Sequence, residues 1–221
     1  MNAFARFWDS DVAYSFRRSP VAIAAFVVAM LMILSAVLAD WVAPHNPFDL
    51  ATINLLDASK PPAWDPEGER RFLLGTDDQG RDVLSAILHG MRISLLIGLA
   101  AVVLSVIFGV GLGLLSGYVG GRLDAFIMRV CDVMLSFPAI LVALLIDGVF
   151  RAALPREAHG DLAFAVLVLA IALSGWVQYA RTVRGSTMVE KNKEYVQAAR
   201  VIGVSSWGIM GRHLLPNVMG P

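Results

Sequence analysis

The 221-residue chain has one cysteine, Cys131, so neither an intramolecular disulfide nor a cysteine-based metal site can be built from it. Charge is scarce: 16% of residues are Asp, Glu, Lys or Arg, eighteen of each sign, and this balance gives no basic character to attract nucleic acid. No Walker-type phosphate loop occurs, so the chain is not itself expected to be an ATPase. Asp77, Asp78 and Asp82 cluster, but the alternating acids, glycine and later glutamate of a calcium loop are missing, and no metal site is expected. What the chain has in excess is apolar surface. At 57% hydrophobic residues and positive mean hydropathy, it carries more than a soluble core of this size absorbs, and the lipid bilayer is the expected solvent.

Four apolar runs, at 21–42, 94–118, 124–150 and 162–179, are long enough to cross the roughly 30 Å hydrocarbon layer as helices. They are continuous rather than alternating, which favours an all-α polytopic bundle over a barrel. Ser19 suits a helix cap, and Pro20 suits the first helical position. Val37, Leu38 and Ala39 resemble a signal-peptidase site behind Arg17 and Arg18, but the apolar run exceeds the ~7–15 residues of a signal core. Residues 1–20 are read as a cytoplasmic amphipathic segment, with Phe4, Phe7, Trp8, Val12 and Phe16 at helical spacing.

Basic residues set the orientation. Arg6, Arg17 and Arg18 precede the first run, Arg122 and Arg129 flank the turn before the third, and Arg181, Arg184, Lys191, Lys193, Arg200 and Arg212 follow the fourth. The loop after the first run is dominated by acids, so the N-terminus is expected in the cytoplasm and residues 43–91 outside, as a small cap. The sharpest signal in that cap is Gly75, Thr76, Asp77, Asp78, Gly80, Arg81 and Asp82, in which Thr76 or Asp77 is expected to cap a helix running through Val83, Leu84 and Ile87.

Within the second run, Ala101, Ser105, Gly109, Gly113 and Gly117 recur every four residues and predict a groove for a closely packed helix. The third run contains Pro138, which predicts a kink, and Asp132, an ionisable group in a membrane segment for which Arg129 is the expected partner at helical spacing. Trp176 and Tyr179 close the fourth run as interfacial aromatics. After it, residues 194–203 predict a short helix with Tyr195, Ala198, Ala199 and Ile202 on one face, stopped by Gly203. Ser205 caps a second short helix that ends before Pro216.

With this spacing the chain resembles the inner-membrane permease subunits of binding-protein-dependent ABC importers. Their cytoplasmic hallmark is Glu-Ala-Ala, three residues, Gly, nine residues, Ile, one residue, Leu-Pro. Here Ala198, Ala199, Gly203, Leu215 and Pro216 match at that spacing, while Gln197 and His213 stand in the Glu and Ile positions. The His-x-Leu-Pro-Asn ending, the motif from Leu73 to Ser85 and the run Pro61, Pro62, Ala63, Trp64 look like the C-type subunit of the dipeptide and oligopeptide branch.

The resemblance implies the type I importer transmembrane fold over 92–221. It implies a cytoplasmic coupling loop at 190–217, in which Glu194, Gln197, Ala198, Ala199, Arg200, Gly203, Leu215 and Pro216 dock on an ATPase, and Pro216 begins the return toward the membrane. It further implies a bacterial inner-membrane location, a second permease subunit, two ATPase subunits that bind the ATP, and an external solute-binding protein delivering peptide. No cofactor in this chain is implied. Family members continue beyond the Leu-Pro with further spans, so the chain is expected to be truncated after the coupling loop, with four of the usual six spans. Nickel or glutathione are alternative substrates, and a non-transporting membrane scaffold is an alternative role. Ala172, Leu173, Ser174 and Gly175 resemble the nucleophile segment of rhomboid proteases, but the first glycine is missing and no histidine lies in a span to activate Ser174. A cysteine at Ala199 is the expected crosslinking position to the ATPase.

Overall fold

A computed structural model describes residues 11–49, 51, 53–155 and 158–219. The amphipathic reading of residues 1–10 lies outside the described residues. The chain forms two compact units, Met1–Leu96 and Ile97–Pro221. Among the described residues the regular structure is helical apart from one isolated bridge, Thr76 with Asp82.

The first unit begins with α1 (Asp11–Arg18), α2 (Pro20–Val37) and the short α3 (Ala39–Val42). Ser19 caps α2: its side chain accepts from the Ala22 N–H at 3.2 Å, and Pro20 supplies a preset φ at a position whose N–H would have no partner. The apolar helix stops at Val37, five residues before the predicted end, because Leu38 leaves helical geometry and α3 restarts as a separate turn. Among the described residues of the loop after α3, Leu55–Asp57 forms a short 3₁₀ turn.

α4 (Val83–Val119) begins eleven residues before the predicted second run, because the helix expected through Val83, Leu84 and Ile87 continues into that run without a break. Past Ile97 this helix belongs to the second unit, with α5 (Gly121–Ser136), α6 (Ala139–Ala153) and α7 (Ala158–Glu190). α7 likewise outruns its predicted end at 179 by eleven residues. Among the described residues, three helices, over Pro20–Val37, Val83–Val119 and Leu162–Glu190, are each long and apolar enough to cross a membrane.

The predicted third span is not one kinked helix. α5 and α6 meet at 93°, and only together do they have the length and apolarity of a span. Pro138 lacks the N–H that would continue the helix, and its ring forces Phe137 into extended geometry at φ −101°, ψ 135°. The break is therefore a corner.

The small residues of α4 lie against α7. A Cβ on Gly109 would come within 2.5 Å of Trp176 O, one on Gly113 within 2.6 Å of Ala180 O, and one on Gly117 within 2.8 Å of Arg184 O. Ser105 donates to Ala172 O at 3.2 Å and Ala101 is buried, so the two backbones touch along several turns. Trp176, expected at an interface, is instead buried mid-helix with Ile127, Cys131, Val177 and Ala180.

Candidate coupling surface

The chain leaves α7 at Glu190 and folds into α8 (Glu194–Val201), α9 (Ser206–Gly208), a π turn at Ile209–Leu214 and α10 (Leu215–Val218). Gly203 links α8 to α9 at φ +83°, a left-handed conformation that glycine adopts without steric cost. Around it the Val204 N–H donates to Ala199 O at 3.0 Å and the Gly203 N–H to Arg200 O at 3.1 Å, the two bonds of a Schellman stop. Ser205 then starts the next turn by accepting from the Gly208 N–H at 3.2 Å. The turn angle between the two short helices is thus set by backbone hydrogen bonds.

Helix continues through Pro216, contrary to the predicted stop. In a regular α-helix the proline ring would strike the carbonyl of Arg212. The wider π turn just before it moves that carbonyl aside, and the Leu215 N–H reaches back five residues to Met210 O. Pro216 accordingly sits inside α10 rather than opening a new direction.

Packing decides which face is free. Val196, Ala199, Ile209, Met210, Leu214 and Val218 are buried together with Leu114 of α4 and Val183 of α7. The predicted face is therefore wrong in part: Ala199 and Tyr195 turn inward, whereas Ala198 and Ile202 turn outward. Exposed Ala198 is joined by Val201, Ile202 and Trp207, the last three 86%, 77% and 76% exposed. Apolar side chains concentrated on one polar-rimmed surface mark a contact site. Gln197 is exposed and donates from Nε2 to Asn192 O at 3.0 Å, and Glu194 lies exposed in the first turn of α8.

Polar contacts fasten the same segment to the long helices. Lys191 Nζ donates to Gly117 O at 2.7 Å, placing a cation at the C-terminal end of α4 where the helix dipole favours it. The Arg200 guanidinium lies 5.2 Å from the centre of the Tyr118 ring. Tyr195 donates to Glu190 Oε2 at 2.8 Å, and burial together with that bond pushes its hydroxyl up to about 12.

Asp132 does not pair with Arg129. Its carboxylate is bridged by Arg181 of α7, a partner 49 positions away that local spacing could not reveal. A second bridge lies one face round α5: Asp124 accepts from Arg184 at 2.5 and 2.6 Å and from Ser116 at 2.5 Å. Ser174 donates to Ala170 O at 3.1 Å, within its own helix.

In the first unit, the motif at residues 75–82 is a folded turn. Gly75 and Gly80 have φ of +78° and +81°, and a Cβ on Gly75 would approach Lys60 O to 2.4 Å. Thr76 accepts from the Lys60 N–H at 2.8 Å and donates to Asp57 O. Asp77 accepts from the N–H groups of Gln79 and Arg81, both at 2.9 Å, and from Arg81 Nε at 2.7 Å. Asp78 is exposed. The residue that caps α4 is neither Thr76 nor Asp77 but Asp82, whose Oδ2 accepts from the N–H and hydroxyl of Ser85 at 2.9 and 2.5 Å. The overlooked signal is the Asp-x-x-Ser spacing, which puts an acceptor three residues before an N–H of the first turn that has no partner within the helix. Asp82 Oδ1 and His45 Nδ1 are buried without a hydrogen-bond partner, though His45 Nδ1 lies 3.7 Å from Asp82 Oδ2, beside a cavity of about 20 Å³, room for one water.

Comparison with known proteins agrees with both ends of this description. Residues 109–221 match the model of the binding-protein-dependent transport system inner membrane component. The chain belongs to this family. Residues 6–62 of this permease-family chain also match the N-terminal TM domain of oligopeptide transport permease C. Among its relatives, the di/tripeptide transport system permease protein DppC of Pseudomonas aeruginosa is 39% identical over 215 residues, 97% of this chain and 65% of that protein. The oligopeptide transport system permease protein OppC of Bacillus subtilis is 35% identical over 210 residues, 95% and 63% of the two chains. The glutathione transport system permease protein GsiD of Pectobacterium atrosepticum is 36% identical over 204 residues, 91% and 61%. The chain thus spans somewhat less than two thirds of the length of these relatives.

Proposed function

We propose that this chain is a permease subunit of an ATP-driven peptide importer of the bacterial inner membrane, one that binds a cytoplasmic ATPase through the exposed face of α8 and α9 and performs no chemistry itself. The observation that carries the reading is that apolar face. Ala198, Val201, Ile202 and Trp207 point outward from a helix pair locked by a Schellman turn and fastened to two long helices, so force applied there reaches α4 and α7. Peptides are the substrate class because the names of the related proteins specify di/tripeptides, oligopeptides and glutathione, itself a tripeptide. The partners are a second permease subunit, two ATPase subunits and an external solute-binding protein. The N-terminus is cytoplasmic, in keeping with the basic residues that flank the membrane helices.

Crosslinking in the co-expressed complex tests the reading. Ala199 is 3% exposed, so the informative position is its neighbour. Cysteine at Ala198, Ile202 or Trp207 is expected to crosslink to an ATPase subunit, while cysteine at Ala199 stays unreactive. An assembled complex in which none of the outward positions crosslinks would overturn the assignment.

A further inference from the structure

Two histidines of the first unit meet at Ser85, in the first turn of α4. The His45 N–H donates to Ser85 Oγ at 3.1 Å, and His89 Nδ1 lies 2.9 Å from Ser85 O. Both rings line a polar cavity of about 260 Å³, together with Asp40 and Asn46.

Their surroundings differ in what a further proton would do. His45 Nε2 accepts from Arg71 Nε at 3.3 Å. A guanidinium only donates, so this bond needs a lone pair on Nε2 and puts the ring's one proton on Nδ1, which faces Asp82 Oδ2 at 3.7 Å. His89 instead stands between two acceptors, Ser85 O and, 3.4 Å from its Nε2, Asp40 Oδ1. A second proton costs His89 no bond and gives it one. On His45 the same proton replaces the Arg71 bond with two N–H groups of like charge pointing at each other.

The remaining charged groups around His45 are engaged elsewhere. Asp57 and Arg81 line the smaller cavity beside it, but Asp57 is bridged to Lys60 at 2.6 Å and Arg81 to Asp77 at 2.7 Å. Asp40, across the polar cavity, is bridged to Arg92 at 2.8 Å, and Glu69 pairs with Lys60. Arg71 and Asp82 are left to address the ring, one at each nitrogen. Asp82 is 3% exposed and its Oδ1 has no hydrogen-bond partner, so the carboxylate keeps capacity for an imidazolium.

The Arg71 bond fastens residues 69–73. Within them Phe72 is buried with its ring 5.4 Å from that of His45, and Leu73 O accepts from the Ala63 N–H at 3.2 Å. We infer that His45 is a pH-sensitive latch: neutral, it holds residues 69–73 through Arg71, and protonated, it releases Arg71 and turns its charge to Asp82. Histidine changes charge between about pH 5 and 8, the range in which the latch opens. The turn that follows is held separately by Thr76 and Asp77 and stays closed. The latch lies within the first unit and does not depend on the transport reading.

The test is hydrogen exchange of the lipid-embedded chain at about pH 7.5 and about pH 5.5, corrected for the intrinsic pH dependence. The Phe72 N–H, bonded to Glu69 O at 3.0 Å, and the Ala63 N–H report on the latched segment. Loss of one hydrogen bond there is expected to speed both about fivefold at the lower pH, with the Gln79 and Arg81 amides unchanged. Arg71 is exposed, so Arg71→Met removes the donor without disturbing the core, and it should exchange fast at both pH values. His45→Gln should abolish the pH step, and His89→Gln should keep it. Wild-type exchange that is the same at both pH values would overturn the latch. So would a step that persists in His45→Gln, because the titrating group would then lie elsewhere.

Discussion

The loop before α4 and the segment after α7 both lie outside the apolar helices, yet they are held by different forces. Around residues 55–82, side chains bond to backbone: Thr76 to Lys60 and Asp57, Asp77 to Gln79 and Arg81, Asp82 to Ser85, with Leu55, Leu56 and Trp64 left exposed. In the segment at residues 194–218 the main anchoring is apolar, through Val196, Ile209 and Leu214, all essentially fully buried, with Tyr195 and Arg200 adding polar contacts at its edge. A hydrogen-bonded loop fixes local geometry and depends on each acceptor. A packed segment shares its stability over many contacts and responds as a unit to the helices beneath it. The second arrangement suits an element that transmits force, and the first suits one that holds a shape.

The largest break in this comparison is expected from Leu214→Ala. It removes a fully buried side chain from the cluster that joins α8 and α10 to Leu114 and Val183, at a cost of about 2–5 kcal/mol. Hydrogen exchange should show the segment 194–218 losing protection as a block, and ATPase binding should weaken with it. Leu55→Ala, an equal truncation at a 74% exposed position in the loop, should leave exchange there unchanged. Equal responses at the two sites would erase the distinction.

Much of this was readable in the sequence, and the misreadings share a cause. The four apolar runs, the four-residue spacing of Gly109, Gly113 and Gly117, the Ser19 cap and the stop at Gly203 are local patterns set by neighbours on one helix or turn. What the sequence did not disclose depended on distant chain. Asp132 offers Arg129 at helical spacing, but packing of α5 on α7 brings Arg181 closer. Ala198 and Ala199 are identical in chemistry, and only the position of Leu114 and Val183 decides that the second is buried. α7 runs past its apolar stretch because hydropathy reports where lipid-compatible residues end, whereas helical hydrogen bonding continues into polar turns, and α4 joins the helix expected from Val83 to the second apolar run as one element. At Pro138 the chemistry was recognised, but a proline alone does not specify the 93° angle between α5 and α6.

An intermediate effect is expected at Asp82, the cap of α4. Asp82→Ala removes the acceptor for the Ser85 N–H and hydroxyl and should cost about 0.5–2 kcal/mol. The loss should be confined to the start of α4 and the loop, leaving the coupling segment protected. Asp82→Ser keeps a capping oxygen and should recover most of the loss. Exchange rates of the amides at residues 83–86 give the measurement.

The smallest effect comes from acid, and its sign is set by the bonds to Asp77. Burial works to raise that carboxyl, but the Arg81 and Gln79 N–H groups and the Arg81 guanidinium outweigh it and hold the group below its ordinary value of 3.8. A carboxyl more acidic in the folded loop than in the unfolded chain stabilises the fold above 3.8, and the contribution disappears as the pH drops through the lower folded value. The Asp77–Arg81 pair is partly exposed and screened, so its share is under about 1 kcal/mol. Amide exchange of Gln79 and Arg81, corrected for the intrinsic pH dependence, should be flat from neutral pH down to about 4 and lose protection below it. In Asp77→Asn the acid step should vanish, because the asparagine oxygen still accepts both backbone N–H groups but carries no proton to gain. The buried cluster at 194–218 has no carboxylate among its apolar members; the one carboxylate bonded to a side chain packed on it is Glu190, held below its ordinary value by Tyr195 and Lys193, so in a Glu190→Gln background the segment should cross the same range unchanged, and an acid step persisting there would show that charge, not packing, holds it.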